Sequence, residues 1–127
     1  MKDFCIEQPI GFDLLVKIGE VLGIAGVNIE GLSMTSFMDQ GVVHFVVENT
    51  VTAKDALENS GFKIKAITDV FVLDKDLQGV TGKSGSFGEI CKILSDQGVQ
   101  INFGSPAENN RFIFGVSDVE KARLLFK

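Results

Sequence analysis

The sequence predicts an α+β protein made of two ferredoxin-like βαββαβ repeats, each an antiparallel sheet with helices on one face. Three observations carry this expectation. Short β-type and helix-type hydrophobic periodicities alternate in the order strand, helix, strand, strand, helix, strand. An internal repeat recurs at an offset of 72: Leu15 falls on Phe87, Ile18 on Ile90, Val21 on Ile93 and Leu22 on Leu94. The glycine-marked turn that follows stays in register, with Gly26-Val27-Asn28-Ile29 falling on Gly98-Val99-Gln100-Ile101. The expected domains are residues 1–68 and 69–127.

The elements follow in chain order. Residues 2–7 read as a strand that ends in the turn Gln8-Pro9-Ile10-Gly11. Leu14, Leu15, Ile18, Val21 and Leu22 recur at helical spacing over about 12–23, with Gly23 and Gly26 as stop signals. Asn28 to Met38 reads as a strand with Leu32, Met34 and Met38 on one face, and Asp39-Gln40-Gly41 as a hairpin turn. Val42 to Glu48 is an apolar strand, Thr52-x-x-Asp55 resembles a capping box, and Gly61 closes the helix it opens. The alternation from Phe62 to Leu73 breaks near Thr68-Asp69, which splits it into strands at 62–67 and 69–74.

After a loop at 75–85, Ser86-x-x-Glu89 is expected to cap a helix carrying Phe87, Ile90, Ile93 and Leu94, ended by Gly98. A strand at 100–105, a turn at 106–110 and a strand at 111–116 lead to Ser117-x-x-Glu120, the expected cap of a last helix facing inward through Val119, Ala122 and Leu125 or Phe126. On this reading the second repeat lacks its last strand, and its sheet edge is expected to pair with another segment or subunit.

Composition narrows the function. With 17 acidic and 12 basic residues the net charge is −5, and 45% of the chain is hydrophobic, too much for a disordered protein. Residues 1–63 hold 4 Lys/Arg against 9 Asp/Glu, and residues 64–127 hold 8 of each. Neither half has the basic excess that a nucleic acid requires. The 11 Phe stand without any Tyr or Trp, which points to an aromatic interior rather than base-stacking platforms. No apolar run approaches a membrane span of about 20 residues, and the N-terminus has no signal-peptide core, so a cytoplasmic protein is expected. Cys5 and Cys91 have no metal spacing and read as buried thiols. The single His44, between Val43 and Phe45, reads as structural, and no cofactor or metal is expected.

Gly82-Lys83-Ser84 has the ending of a phosphate-binding loop, but position 77, where that loop needs glycine, is Leu77. The segment reads instead as an anion-friendly turn assisted by Lys83 at a helix N-terminus, with Ser86 as its cap. An acylphosphatase-type reaction needs an arginine in the first loop. Arg111 and Arg123, both late in the chain, are the only two. No nucleophile–base pair assembles around the lone histidine, so no enzyme is expected.

At this point the chain resembles a tandem pair of ACT domains. The resemblance rests on Leu15, Ile18, Leu22 and Gly26-Val27-Asn28-Ile29 in the first repeat, and on Phe87, Ile90, Leu94 and Gly98-Val99-Gln100-Ile101 in the second. The family's Pro-Gly falls on Phe12-Asp13 in the first repeat and on Ser84-Gly85 in the second, where only the glycine is kept. The resemblance implies a regulatory module that senses an amino acid and modulates a metabolic enzyme or transporter, acting as a homo-oligomer or beside an enzyme partner. Its ligand contacts would be Gly11, Phe12, Asp13, Asn28, Lys83, Ser84, Gly85, Ser86 and Gln100, with two copies meeting to close the pocket. The alternative is a ligand-blind interaction subunit on the same repeat.

Overall fold

Strand and helix alternate from the first residues of the computed structural model, which describes residues 1–127. The chain forms two compact units, Met1–Thr68 and Asp69–Lys127.

The first unit runs β1 (Lys2–Pro9), α1 (Leu14–Ile24), β2 (Gly31–Phe37), β3 (Gln40–Val47), α2 (Thr50–Asn59) and β4 (Ile64–Asp69). Its strands lie in the order β4-β1-β3-β2, the ferredoxin-like arrangement, with β3 antiparallel to both β1 and β2. Period-two alternation sends Phe4, Ile6, Val43, Phe45 and Val47 to one face. There they meet Leu14, Ile18 and Leu22 of α1 and Ala53 and Leu57 of α2. Phe4 and Phe45, directly opposite in the ladder, stack with ring centroids 5.4 Å apart. The β2–β3 hairpin turns on Met38 and Asp39, both at positive φ, as a two-residue turn between paired Phe37 and Gln40 requires.

The second unit runs β5 (Phe71–Asp74), α3 (Ser86–Asp96), β6 (Ile101–Ala107), β7 (Arg111–Val116) and α4 (Val119–Leu125). Its three strands lie in the order β6-β7-β5, with β5 at the edge. Phe71, Leu73, Phe114 and Val116 share a core with Ile90, Leu94 and Ala122.

The offset of 72 is visible in hydrogen bonds. Val27 N–H donates to Leu22 O at 2.9 Å beside Gly26 at φ +74°, and Val99 N–H donates to Leu94 O at 2.9 Å beside Gly98 at φ +75°. Both are Schellman ends, in which glycine takes the left-handed position and the apolar pair flanking it enters the core.

Helix starts depart from the sequence reading. Asn49, not Thr52, caps α2, accepting from Thr52 N–H at 3.3 Å. Gly85, not Ser86, is the N-cap of α3; the Ser86 hydroxyl instead donates to Val80 O at 3.3 Å. Asp118, not Ser117, caps α4, accepting from Lys121 N–H at 3.0 Å, while Ser117 Oγ accepts from Gln100 N–H. The helical stripe is also narrower than expected. Ile18 and Leu22, like Ile90 and Leu94, are buried, but Leu15, Phe87 and Ile93 are 41%, 51% and 42% exposed. Further corrections are smaller. β2 begins at Gly31, Met38 lies in the turn rather than on the strand, Pro106 belongs to β6, and Cys91 is half-buried.

The first sheet's other face carries Asp3, 2% exposed, whose carboxylate meets His44 Nδ1 at 2.6 Å. Burial pushes the Asp3 carboxyl above its ordinary value, and the His44 hydrogen bond and charge pull it partly back. Cys5, opposite His44 in the ladder, is buried, and burial together with the Asp3 charge raises its thiol. A raised thiol is not an activated nucleophile, in keeping with a structural role.

Candidate functional site

The residues singled out in the first unit fall in two places. Gly11, Phe12 and Asp13 form the exposed loop into α1; Phe12 is fully exposed, and Asp13 stands at the N-cap without a side-chain cap bond. Its carboxylate reaches Lys17 Nζ at 3.1 Å, which holds it below the usual carboxylate range. Asn28 follows the other end of α1 and donates to Glu30 Oε2 at 3.1 Å, in a hollow of about 180 Å³ that includes Gly26, Glu48 and Asn49. Eleven helical residues at about 1.5 Å each separate the loop from Asn28, a distance of roughly 16 Å.

The second unit repeats this separation. Lys83, Ser84 and Gly85 are exposed at the start of α3, with Gly85 at φ +80° and Ser86 half-buried behind it. Gln100 lies past the far end of α3, in a hollow of about 500 Å³ lined by Cys91, Ser95, Gly98 and Val99. Within one unit, then, the turn and the amide do not meet around one ligand.

The loop between β5 and α3 is nevertheless built with care. Asp76 Oδ1 accepts from Thr81 Oγ1 at 2.5 Å and from Asn110 Nδ2 at 2.8 Å, and these bonds hold its carboxyl below the ordinary range. Gln78 Nε2 donates to Phe126 O at 2.9 Å. Together they tie the loop to the β6–β7 hairpin and to the end of α4.

Beside the α3 N-terminus lies a feature that the sequence reading missed. A cleft of about 490 Å³ opens between Phe87 on the first turn of α3 and the strands β6 and β7. Phe112 and Phe114 also line it. Phe87 meets Phe112 edge-on at 5.4 Å between centroids and 64° between planes, and Phe114 at 6.2 Å. Two backbone features shape the β6 wall. Gly104 has no side chain, and a Cβ there would come within 3.2 Å of the Phe114 ring. The ladder also shifts register between Ile101 and Phe103, a bulge of the kind that re-aims side chains next to functional sites. Phe103 then lies over Gly115, where an added Cβ would stand only 2.2 Å from its ring. Lys75 Nζ sits 4.6 Å from the centroid of Phe112, placing a cation next to the aromatic wall. The sequence signals were a glycine inside a strand and paired phenylalanines at 112 and 114, but their convergence depends on strand pairing.

No family model and no curated protein matches the sequence. Solved structures do. A protein from Bacteroides thetaiotaomicron matches with a TM-score of 0.77 at 24% identity, over 98% of this chain and 84% of its own. The regulatory subunit of aspartate kinase from Thermus thermophilus, in its ligand-free form, matches with a TM-score of 0.74 at 12% identity, over 98% of this chain and 87% of its own. The corresponding subunit from Thermus flavus gives a TM-score of 0.72 at 14% identity, over 98% and 86%. These likenesses show the fold, and it is the one that resemblance to a tandem ACT pair implies. No helix is long and apolar enough to cross a membrane.

Proposed function

We propose that this chain is a cytoplasmic regulatory module that binds an amino acid and modulates a metabolic enzyme or transporter. The aromatic cleft carries this reading, because its lining includes Phe87 on the first turn of α3, which sets an apolar pocket next to a helix N-terminus of the kind that suits a carboxylate. The fold shared with regulatory subunits of aspartate kinase supports it. The turn at Lys83, Ser84, Gly85 and Ser86 would receive the ligand's carboxylate, and Lys75 adds a cation at the cleft wall. Asn28 and Gln100, beyond the far helix ends, would contribute from another copy in a homo-oligomer, as would Gly11, Phe12 and Asp13. No bond is made or broken; regulation needs only that ligand favour one of two conformations.

A thermal-shift series against single amino acids checks this directly. A ligand at 100 times its Kd is expected to stabilise the chain by about 2.7 kcal/mol, on the order of 10 °C in Tm. A flat response to every amino acid would refute sensing.

The second reading, a ligand-blind interaction subunit, is favoured by one observation. Ile10, Phe12, Phe37 and Met38 are 46%, 110%, 70% and 82% exposed, and Ile10 N–H donates to Asp39 O, joining their loop to the hairpin tip. Stable co-purification with an enzyme in the absence of small molecules would support it.

A further inference from the structure

We infer that the ligand class is an amino acid with a planar aromatic side chain, and that each chain holds one such site, in the second unit. This rests on the reading that the chain binds an amino acid and deepens it. Three phenylalanine rings border the cleft in mixed edge-on and tilted geometry, Phe87, Phe112 and Phe114, with centroid separations of 5.4 to 6.2 Å. Such arrangements accept a further ring through the same offset and edge contacts. The volume of about 490 Å³ lies within the range of small-molecule sites. A charged or strongly polar side chain inserted among these three rings would lose water against apolar surfaces that offer it no hydrogen bond, the polar lining residues Asn102 and Ser105 lying on β6.

The first unit lacks this architecture at matching positions. The ladder pairs Leu32 with Phe45 and Gly104 with Phe114, so Leu32 corresponds to Gly104 and Val43 to Phe112. Leu15 stands at the position of Phe87 by the offset of 72. Where the second unit has two rings and a gap in the side-chain layer, the first has three aliphatic side chains. The repeat has kept its core and diverged at this site.

Isothermal titration calorimetry on the full chain tests the inference, using L-phenylalanine, L-aspartate, L-lysine, L-threonine and 3-phenylpropionate. Phenylalanine is expected to bind once per chain, at least about tenfold more tightly than the three polar amino acids. Phe87→Ala is expected to weaken it by about three- to tenfold with an unchanged circular dichroism spectrum, because Phe87 is half-exposed and outside the core. Gly104→Leu, which installs the first unit's residue, is expected to abolish binding, and Leu32→Ala to leave it unchanged. Two equivalents per chain, tighter binding of aspartate than of phenylalanine, or an unaffected Phe87→Ala would overturn the inference and leave amino-acid sensing standing. Phenylpropionate binding that needs Phe87, with no amino acid bound, would uphold the aromatic cleft and overturn the sensing role. Silence from all five compounds would overturn the inference, and sensing itself would fall only with a flat thermal-shift response to every amino acid.

Discussion

Truncation of Phe45 to alanine is expected to cost about 3–5 kcal/mol, the range for deleting a fully buried ring. Phe45 is 0% exposed, lies in the middle of β3, and stacks on Phe4 across the β1–β3 ladder. Its loss removes the ring and strands one face of Phe4, in a core that also holds Ile18, Leu22 and Leu57. Domains of this size are stable by only about 5–15 kcal/mol, so the variant should unfold at a much lower urea concentration. Phe87→Ala, on the half-exposed flank of α3, is the matched comparison and should move the midpoint far less. If the two substitutions shifted it equally, the division into core and cleft phenylalanines would be wrong.

The second large effect lies on the other face of the same sheet. His44→Ala removes the ring nitrogen 2.6 Å from the Asp3 carboxylate and leaves that group in a site only 2% exposed. A loss of about 1–3 kcal/mol at pH 7 follows from stranding a buried acceptor. The double variant with Asp3→Asn should recover part of it, which a double-mutant cycle in urea would measure. Asp3 also makes stability depend on pH. Burial raises its native pKa above the ordinary 3.8, so the folded chain holds this proton more firmly than the unfolded one. The stability Asp3 contributes is therefore fully present below 3.8 and is lost as pH rises through the raised native value. Relative to wild type, Asp3→Asn should gain stability as pH rises across that window. Parallel pH profiles for the two proteins would show that burial of Asp3 is not felt.

The repeat was legible because its markers are local. A Schellman end favours glycine at C′, an apolar residue directly after it and another four positions before it, so Leu22, Gly26 and Val27, and Leu94, Gly98 and Val99, reveal the register without any tertiary information. Helix starts were less legible for an equally physical reason. Asn49 and Thr52, Gly85 and Ser86, and Ser117 and Asp118 all suit a cap, and the choice depends on where the preceding strand or loop releases the chain. The turn at Lys83–Ser86 is legible as a helix start, and the length of the helix that follows sets it apart from Gln100 within one chain. The cleft itself was out of reach. By sequence Phe87 falls on the core stripe of its helix and Phe112 and Phe114 in a strand, and only the ladder sets Gly104 beside Phe114 and only the bulge before Phe103 shapes the wall. Lys75, placed by the fold over Phe112, carries no motif at all.

Binding of an amino acid in the second unit's aromatic cleft can be read residue by residue by mapping amide chemical shifts in a ¹⁵N-labelled chain titrated with L-phenylalanine. Saturable changes are expected at Ser86, Phe87, Gly104, Ser105 and Phe112, with Leu15, Leu32 and Val43 of the first unit unmoved. Changes centred on those first-unit positions instead, or none at saturating ligand, would contradict it.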